Sequence, residues 1–317
     1  MGANQNCLSM GRNIWAYDRM YDICRYYVDF CTRTQFSSVR MQGLENIPSS
    51  GAVILAPNHC AALMDPLLIL LTRHGSIGFG ARSDIFSNPK VARFLNFLRI
   101  LPMARERNGL REVAKNFETI GDIIECLRHE VPFCMYSEGM HRAEKGLLPI
   151  KKGIFKIARK AAEELEKPVY VVPIGVDYEY FFRIQGRVSM KVGKPIDVRA
   201  YFEEHKEDSE ASTYASLCDR LHSDILDLLD NIPERRHDLR FPRALLALVL
   251  FPLWLLFTAL SVTIWLPAEL VLCRFRDKAW TNTVYFALRF FQPLFWPFMA
   301  ASGYLTNYIS NLIDDLK

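Results

Sequence analysis

Residues 57–66 read Pro-Asn-His-Cys-Ala-Ala-Leu-Met-Asp-Pro and contain the two side chains of this chain best suited to moving a proton, His59 and Asp65. A neutral imidazole held in one tautomer by a carboxylate can take the proton of a hydroxyl and speed its attack by roughly 10² to 10⁴. On one unbroken helix the step from His59 to Asp65 would turn by about 600° and leave the two side chains on different faces. The spacing works if His59 sits on a loop and Asp65 one turn inside the following helix, so that the chain folds back and the carboxylate meets the ring. No Ser, Thr or Tyr lies between Asn58 and Leu71. The hydroxyl to be activated is therefore expected on the substrate.

Cys60 supplies a competing reading, because a thiol beside a histidine can itself attack. Adjacent side chains at a strand end point apart, however, and a free cysteine is most often a small buried apolar group. Taken alone, the motif is equally compatible with a histidine that merely caps the helix near Asp65.

The elements around the motif make the fold-back plausible. An apolar run, Ala-Val-Ile-Leu-Ala-Pro over 52–57, reads as a strand entering it, and a second apolar run over 66–71 continues the helix beyond it. Strands are expected at 39–42, 52–56, 77–81, 100–103, 133–136, 169–176 and 188–192, and helices at 65–72, 89–98, 111–128 and 153–165. Short strands alternating with helices of these lengths predict an α/β fold, a mostly parallel sheet flanked by helices. In such sheets the loops at strand ends converge into a site.

Two further segments flank this unit. Residues 13–36 read as an N-terminal amphipathic helix with an aromatic-rich face, able to dock on the α/β unit or to lie among lipid headgroups. Near the other end, 244–268 and 290–309 contain no charged residue. The first would reach about 37 Å as a helix, enough for a bilayer core of about 30 Å. A two-helix transmembrane hairpin is favoured over a pair of re-entrant helices. The expected division is 1–38 for the N-terminal segment, 39–240 for the α/β domain and 241–317 for C-terminal membrane helices.

Four segments in order resemble those of the glycerolipid acyltransferases, the family of glycerol-3-phosphate and 1-acylglycerol-3-phosphate acyltransferases, over about residues 39–198. They are Asn58-His59 with Asp65; Ile100-Leu101-Pro102-Met103-Ala104-Arg105; Tyr136-Ser137-Glu138-Gly139-Met140-His141-Arg142; and Val171-Val172-Pro173-Ile174. Two departures bear on the acceptor and its binding. The family usually has four residues between His and Asp, and this chain has five, so the acceptor is not read from the commonest members. Its third block usually reads Pro-Glu-Gly-Thr-Arg, whereas here Ser137, Met140 and His141 replace Pro, Thr and Arg. Arg142, one residue later, is the candidate to take over the arginine's role.

The resemblance implies that His59 is the base and Asp65 its orienter. It also implies that Arg105, with Arg107 close behind, holds the phosphate of the acceptor, since a guanidinium fork matches phosphate geometry. Glu138 and Gly139 open a turn after a strand. There the glycine permits close backbone approach, and the glutamate can accept from an acceptor hydroxyl or fix a neighbouring arginine. The bland reading of Glu138 is a structural ion pair at a strand end. The implied donor is an acyl thioester of CoA or of acyl-carrier protein. Its thiolate leaves readily, so no cofactor, metal or covalent enzyme intermediate is expected.

Composition limits the remaining choices. Half of the residues are hydrophobic (50%), 12% are aromatic and the formal net charge is +4, in keeping with a membrane-associated enzyme. Eight cysteines are scattered without Cys-x-x-Cys spacing, which fits reduced thiols in a cytosol-facing protein better than disulfides or a zinc site. Residues 1–13 lack the apolar core of a signal peptide. The expected location is the cytoplasmic membrane, with the catalytic domain on the cytosolic side. Basic residues crowd around the second and third blocks without interleaved aromatics, so membrane lipid headgroups are expected as partners and nucleic acid is not. Acyl transfer to 1-acylglycerol-3-phosphate in phospholipid biosynthesis is the leading expectation. Glycerol 3-phosphate or an amino-acid lysolipid as acceptor, a thioester or lipid hydrolase, and a non-catalytic lipid-binding protein are the alternatives. Acyl length and oligomeric state are not encoded in any pattern.

Overall fold

A run that is apolar at every position, as at 52–57, forms a strand where both faces of the sheet are covered. The computed structural model, which describes residues 13–103, 110–142, 144–233, 241–275 and 277–314, covers both. Its elements in chain order are α1 (Arg19–Gln35), β1 (Ser38–Gln42), β2 (Ala52–Pro57), α2 (Met64–Leu70), β3 (Gly78–Arg82), α3 (Pro89–Phe97), β4 (Ile100–Met103), α4 (Leu110–Arg128), β5 (Phe133–Cys134) and α5 (Gly153–Glu164). They continue with β6 (Val169–Tyr178), β7 (Arg187–Val192), β8 (Ile196–Asp197), α6 (Val198–Glu204), α7 (Glu210–Leu228), α8 (Phe241–Leu260), α9 (Val262–Leu272), α10 (Thr281–Phe291) and α11 (Trp296–Asp314).

The strands make one sheet in the order β1-β7-β6-β2-β5-β3-β4, with β8 added beside β6. Pairing is parallel from β6 through β2, β5 and β3 to β4 and between β1 and β7, while β7 and β8 run antiparallel to β6. This is the α/β architecture with a mostly parallel sheet that the sequence predicts. Alternation along β2 feeds two cores. Ala52, Ile54 and Ala56 pack with Ile123, Phe155 and Leu217 from α4, α5 and α7. Val53 and Leu55 pack on the other face with Cys31, Met64, Leu68 and Phe286 from α1, α2 and α10.

The α1 segment docks by one face. Asp18 caps it, accepting from the N–H of Met20 at 2.9 Å and of Tyr21 at 3.2 Å. Arg25, 6% exposed, donates to Gly75 O at 2.8 Å and to Leu70 O, the last carbonyl of α2. A helix leaves its final carbonyls without partners of its own, and Arg25 supplies one from a neighbouring element. The opposite face leaves Met20, Ile23, Tyr26 and Phe30 exposed.

The C-terminal runs depart from a straight hairpin. Among the described residues no single helix is long and apolar enough to cross a membrane, and the first run is a pair, Leu248–Leu260 and Val262–Leu272, bent by 76°. Pro252 and Pro267 lie inside α8 and α9. The break falls at Ser261, whose backbone leaves the helical region (φ −99°, ψ 11°). Its hydroxyl turns back to Phe257 O at 2.8 Å and Thr258 O at 3.2 Å, the local competition by which serine bends helices. α8 meets α11 through Thr258 Oγ1 and Ser302 Oγ at 2.7 Å, and through Trp254 Nε1 donating to Thr306 Oγ1 at 2.9 Å. These helices are keyed into the rest of the chain. Arg289, 1% exposed, donates to Cys31 O at 2.6 Å and to Gln35 Oε1 at 3.3 Å. Asn282 and Asn307 donate to Phe181 O and Ile184 O at 3.0 and 2.9 Å.

Candidate active site

β2 and β5 are parallel neighbours in register at Leu55 and Cys134, so the loops that leave their C-terminal ends emerge side by side. The first loop begins with Asn58. Its amide accepts from Val176 N at 2.7 Å and donates to Val176 O at 2.9 Å, continuing by side chain the pairing of β2 with β6. His59 follows on the loop. The chain then turns through Ala62, a non-glycine residue at φ 47°, and Asp65 is placed in the first turn of α2. The fold-back expected from the spacing is what forms, with His59 Nδ1 at 2.7 Å from Asp65 Oδ2.

Asp65 is fully buried, and a buried carboxylate is tolerated only with donors around it. Besides the imidazole, Oδ2 accepts from the N–H of Cys60 and of Ala61, both at 2.8 Å. Oδ1 accepts from the Tyr178 hydroxyl at 2.6 Å. With Nδ1 committed to the carboxylate, Nε2 is the basic atom of His59. The His59 side chain is 18% exposed, so the dyad has an oriented and insulated side and an open one.

The second loop grips the backbone of His59. Glu138, 5% exposed, accepts from His59 N through Oε1 at 2.6 Å and from Leu148 N through Oε2 at 2.8 Å. Burial raises its carboxyl above the ordinary glutamate range, against the pull of those two N–H groups. Its described partners are thus backbone donors and not an arginine. Gly139 makes the turn at φ 77°, where any other residue would be strained. Arg142 gives its backbone N–H to His59 O at 3.2 Å, and its guanidinium pairs with Glu144 at 3.2 Å.

The rings beside His59 are those of Tyr136, stacked at 4.2 Å between centroids, and of His141, edge-on at 5.3 Å. Arg105 and Arg107 lie outside the described residues. Cys60 is 4% exposed. Burial, with the charges of Asp65 and Glu138 adding to it, pushes its thiol far above the usual cysteine range, so this sulfur is a packed thiol and not a thiolate. Among the described residues no group of three or more His, Cys, Asp or Glu could hold a metal ion. Tyr178 and Asp277, which reach the dyad and His141, carry no signal near the motif: each lies more than 100 positions from its partner in the chain.

Residues 38–177 match the family model described as Acyltransferase. No curated protein matches the chain. A crystal structure of the 1-acyl-sn-glycerophosphate (LPA) acyltransferase PlsC from Thermotoga maritima is similar, with a TM-score of 0.49 and 21% identity over 70% of this chain and 87% of that one. The family match spans the His59–Asp65 dyad, the Glu138 loop and the strands that carry them. Residues 38–177 thus carry an acyltransferase-type domain, the coarser class that the family model supports.

Proposed function

We propose that the chain is a membrane-bound O-acyltransferase that moves a fatty acyl group from the thioester of CoA or acyl-carrier protein to a hydroxyl of a phosphate-bearing lysolipid, with 1-acylglycerol-3-phosphate the leading acceptor. One observation carries the reading. His59 is held through Nδ1 by a buried Asp65, and its described hydrogen bonds go to Asp65, Glu138 and Arg142, none of them a Ser or Thr hydroxyl. A base oriented in this way, with no Ser or Thr hydroxyl bonded to it among the described residues, is suited to activating a substrate hydroxyl.

In this mechanism Nε2 takes the proton of the acceptor hydroxyl as its oxygen attacks the thioester carbonyl. The tetrahedral intermediate collapses with cleavage of the C–S bond, the thiolate leaves, and the imidazolium returns its proton to that sulfur. Asp65 stabilises the imidazolium and keeps the ring aligned. Arg105, with Arg107, is assigned to the acceptor's phosphate. The exposed apolar face of α1 and the bent α8–α9 pair are assigned to the cytoplasmic membrane, where lysolipid acceptors reside, with the α/β domain on the cytosolic side where acyl thioesters are found.

Purified protein supplied with a labelled acyl thioester and a panel of lysophosphatidate, glycerol 3-phosphate and a lyso amino-acid lipid tests the reading. Thioester consumption that depends on an acceptor supports transfer. Equal consumption without one would make the protein a hydrolase. His59→Ala should abolish transfer in a folded protein, and Arg105→Ala should raise the acceptor KM while leaving that of the donor nearly unchanged.

A further inference from the structure

His141 lies beside the His59–Asp65 dyad without belonging to it, and its own partner comes from the far end of the chain. Its Nε2 is 2.7 Å from Oδ2 of Asp277, which sits in the connection between α9 and α10. The other oxygen of Asp277 accepts from Ala279 N at 2.9 Å, which fixes the carboxylate at the entry to α10. Trp280 from the same turn stands edge-on to His141 at 6.2 Å. α10 is in turn locked to α1 by the buried Arg289. The ring of His141 is therefore held on one side by a carboxylate with a fixed address, and it presents itself to the ring of His59 at an interplanar angle of 64°.

Residues on either side of His141 are committed to the backbone of His59 as well, one by its carboxylate and one by its N–H. Glu138, three residues before it, takes the N–H of His59, and Arg142, the next residue, gives its N–H to the carbonyl of His59. The loop can thus transmit a displacement of His141 to the catalytic ring by two routes, direct ring contact and the backbone clamp. Partial burial raises the carboxyl of Asp277, but the Ala279 N–H and His141 outweigh it and hold the group below the ordinary aspartate range. The carboxylate is ionised at neutral pH.

The pair is also too wet to be a stability device. The side chain of His141 is 25% exposed and that of Asp277 is 51% exposed, and ion pairs of that exposure contribute little to folding. What such a pair can do at low cost is fix an orientation.

We infer that Asp277 and His141 are a positioning pair for acyl transfer, through which the C-terminal helices set the placement of the His59 ring. The inference rests on the reading of His59 as the catalytic base. It makes the C-terminal unit part of the active site's construction and not only a membrane attachment. The seating of the α9–α10 connection then governs how well His59 is aligned for the acceptor hydroxyl.

The test uses the full-length protein with oleoyl-CoA as donor and whichever of lysophosphatidate, glycerol 3-phosphate and a lyso amino-acid lipid is turned over fastest. Asp277→Asn and His141→Ala should each lower kcat by roughly three- to tenfold, with the donor KM unchanged and the thermal midpoint within a few degrees of native. The double variant should be no slower than the worse single variant, because both substitutions break one unit. Asp277→Glu should recover part of the loss. Native kcat in Asp277→Asn, or losses that multiply in the double variant, would overturn the inference. Should His141→Ala fold poorly, Asp277→Asn at its half-exposed position carries the test alone. A dead His59→Ala beside kinetically silent Asp277→Asn sinks the positioning pair only, whereas an active His59→Ala sinks the reading of the site on which it rests.

Discussion

Tyr178 donates its hydroxyl to Oδ1 of Asp65 at 2.6 Å, while His59 and two backbone N–H groups share Oδ2. The two carboxylate oxygens are thus divided between a structural donor from β6 and the imidazole it must orient. Removing the hydroxyl leaves one buried lone pair without its donor, a loss of about 1–3 kcal/mol. Tyr178→Phe should therefore lower the thermal midpoint, and it should lower kcat by roughly tenfold as the carboxylate shifts and His59 with it. Steady-state kinetics beside thermal denaturation decide the matter. Native kcat in a destabilised Tyr178→Phe protein would confine this tyrosine to folding.

What could be read from the sequence was local. The strand, loop and helix around His59 follow from an apolar run, a spacing and a second apolar run, all within 52–71, and the dyad geometry follows from them. The parallel sheet follows from alternation in the same way. Tyr178 and Asp277 could not be read, because their roles are set by which strand lies next to β2 and by where α10 is docked, and neither leaves a mark near the motif. α7 is a different case. Tyr214, Leu217, Leu221 and Ile225 are buried at helical spacing behind a Ser209 cap, a signal independent of the strand alternation from which the fold was expected. In the C-terminal run the bend falls at Ser261, between Pro252 and Pro267, where a hydroxyl competes for helix carbonyls.

The residue that absorbs the spacing between His59 and Asp65 is Ala62, at φ 47° and 5% exposed. A left-handed backbone costs an ordinary residue roughly 1–2 kcal/mol. Ala62→Gly removes that cost but loses about 0.5–1 kcal/mol through greater freedom of the unfolded chain, so its thermal midpoint and activity should stay close to native. Ala62→Val places a β-branched residue where that conformation is an outlier and space is short. It should lower the midpoint clearly and cost most of the activity by displacing Asp65 from His59. A valine variant as stable and active as the native protein would contradict the left-handed turn.

Cys60 stands next to His59 and offers a direct comparison of backbone against side chain. Its N–H serves Asp65 at 2.8 Å, and its sulfur is packed against Asn58 Nδ2 at 3.7 Å and Val176 O at 4.0 Å. A buried thiol pushed far above its usual range is a poor nucleophile. Cys60→Ala keeps the N–H and deletes the sulfur, so turnover should stay within about threefold of native with a modestly lower midpoint. Iodoacetamide should label Cys24 and Cys273, which are exposed, well before Cys60. Loss of all transfer in a folded Cys60→Ala protein would instead assign the thiol to the chemistry.

The membrane assignment rests on surfaces that water should not favour. Leu248 and Val249 on α8 are 70% and 65% exposed, on a helix whose partner α9 turns away by 76°. Burying each such side chain in lipid is worth about 1.5–3 kcal/mol, and a carboxylate at membrane depth costs about 2.5–3.5 kcal/mol instead. Replacing both residues by aspartate should therefore weaken partition into phospholipid vesicles by more than about 100-fold, without disturbing the buried Arg289 and Asn307 contacts that key these helices to the α/β domain. Vesicle flotation of the native protein, Leu248→Asp/Val249→Asp and an α1 control, Ile23→Asp/Phe30→Asp, separates the two apolar surfaces. Loss confined to the α8 variant makes the bent pair the main attachment, and loss confined to the α1 variant transfers that role to the N-terminal helix. Native flotation by both would mean that neither face meets lipid, and the acceptor would then have to reach His59 from solution.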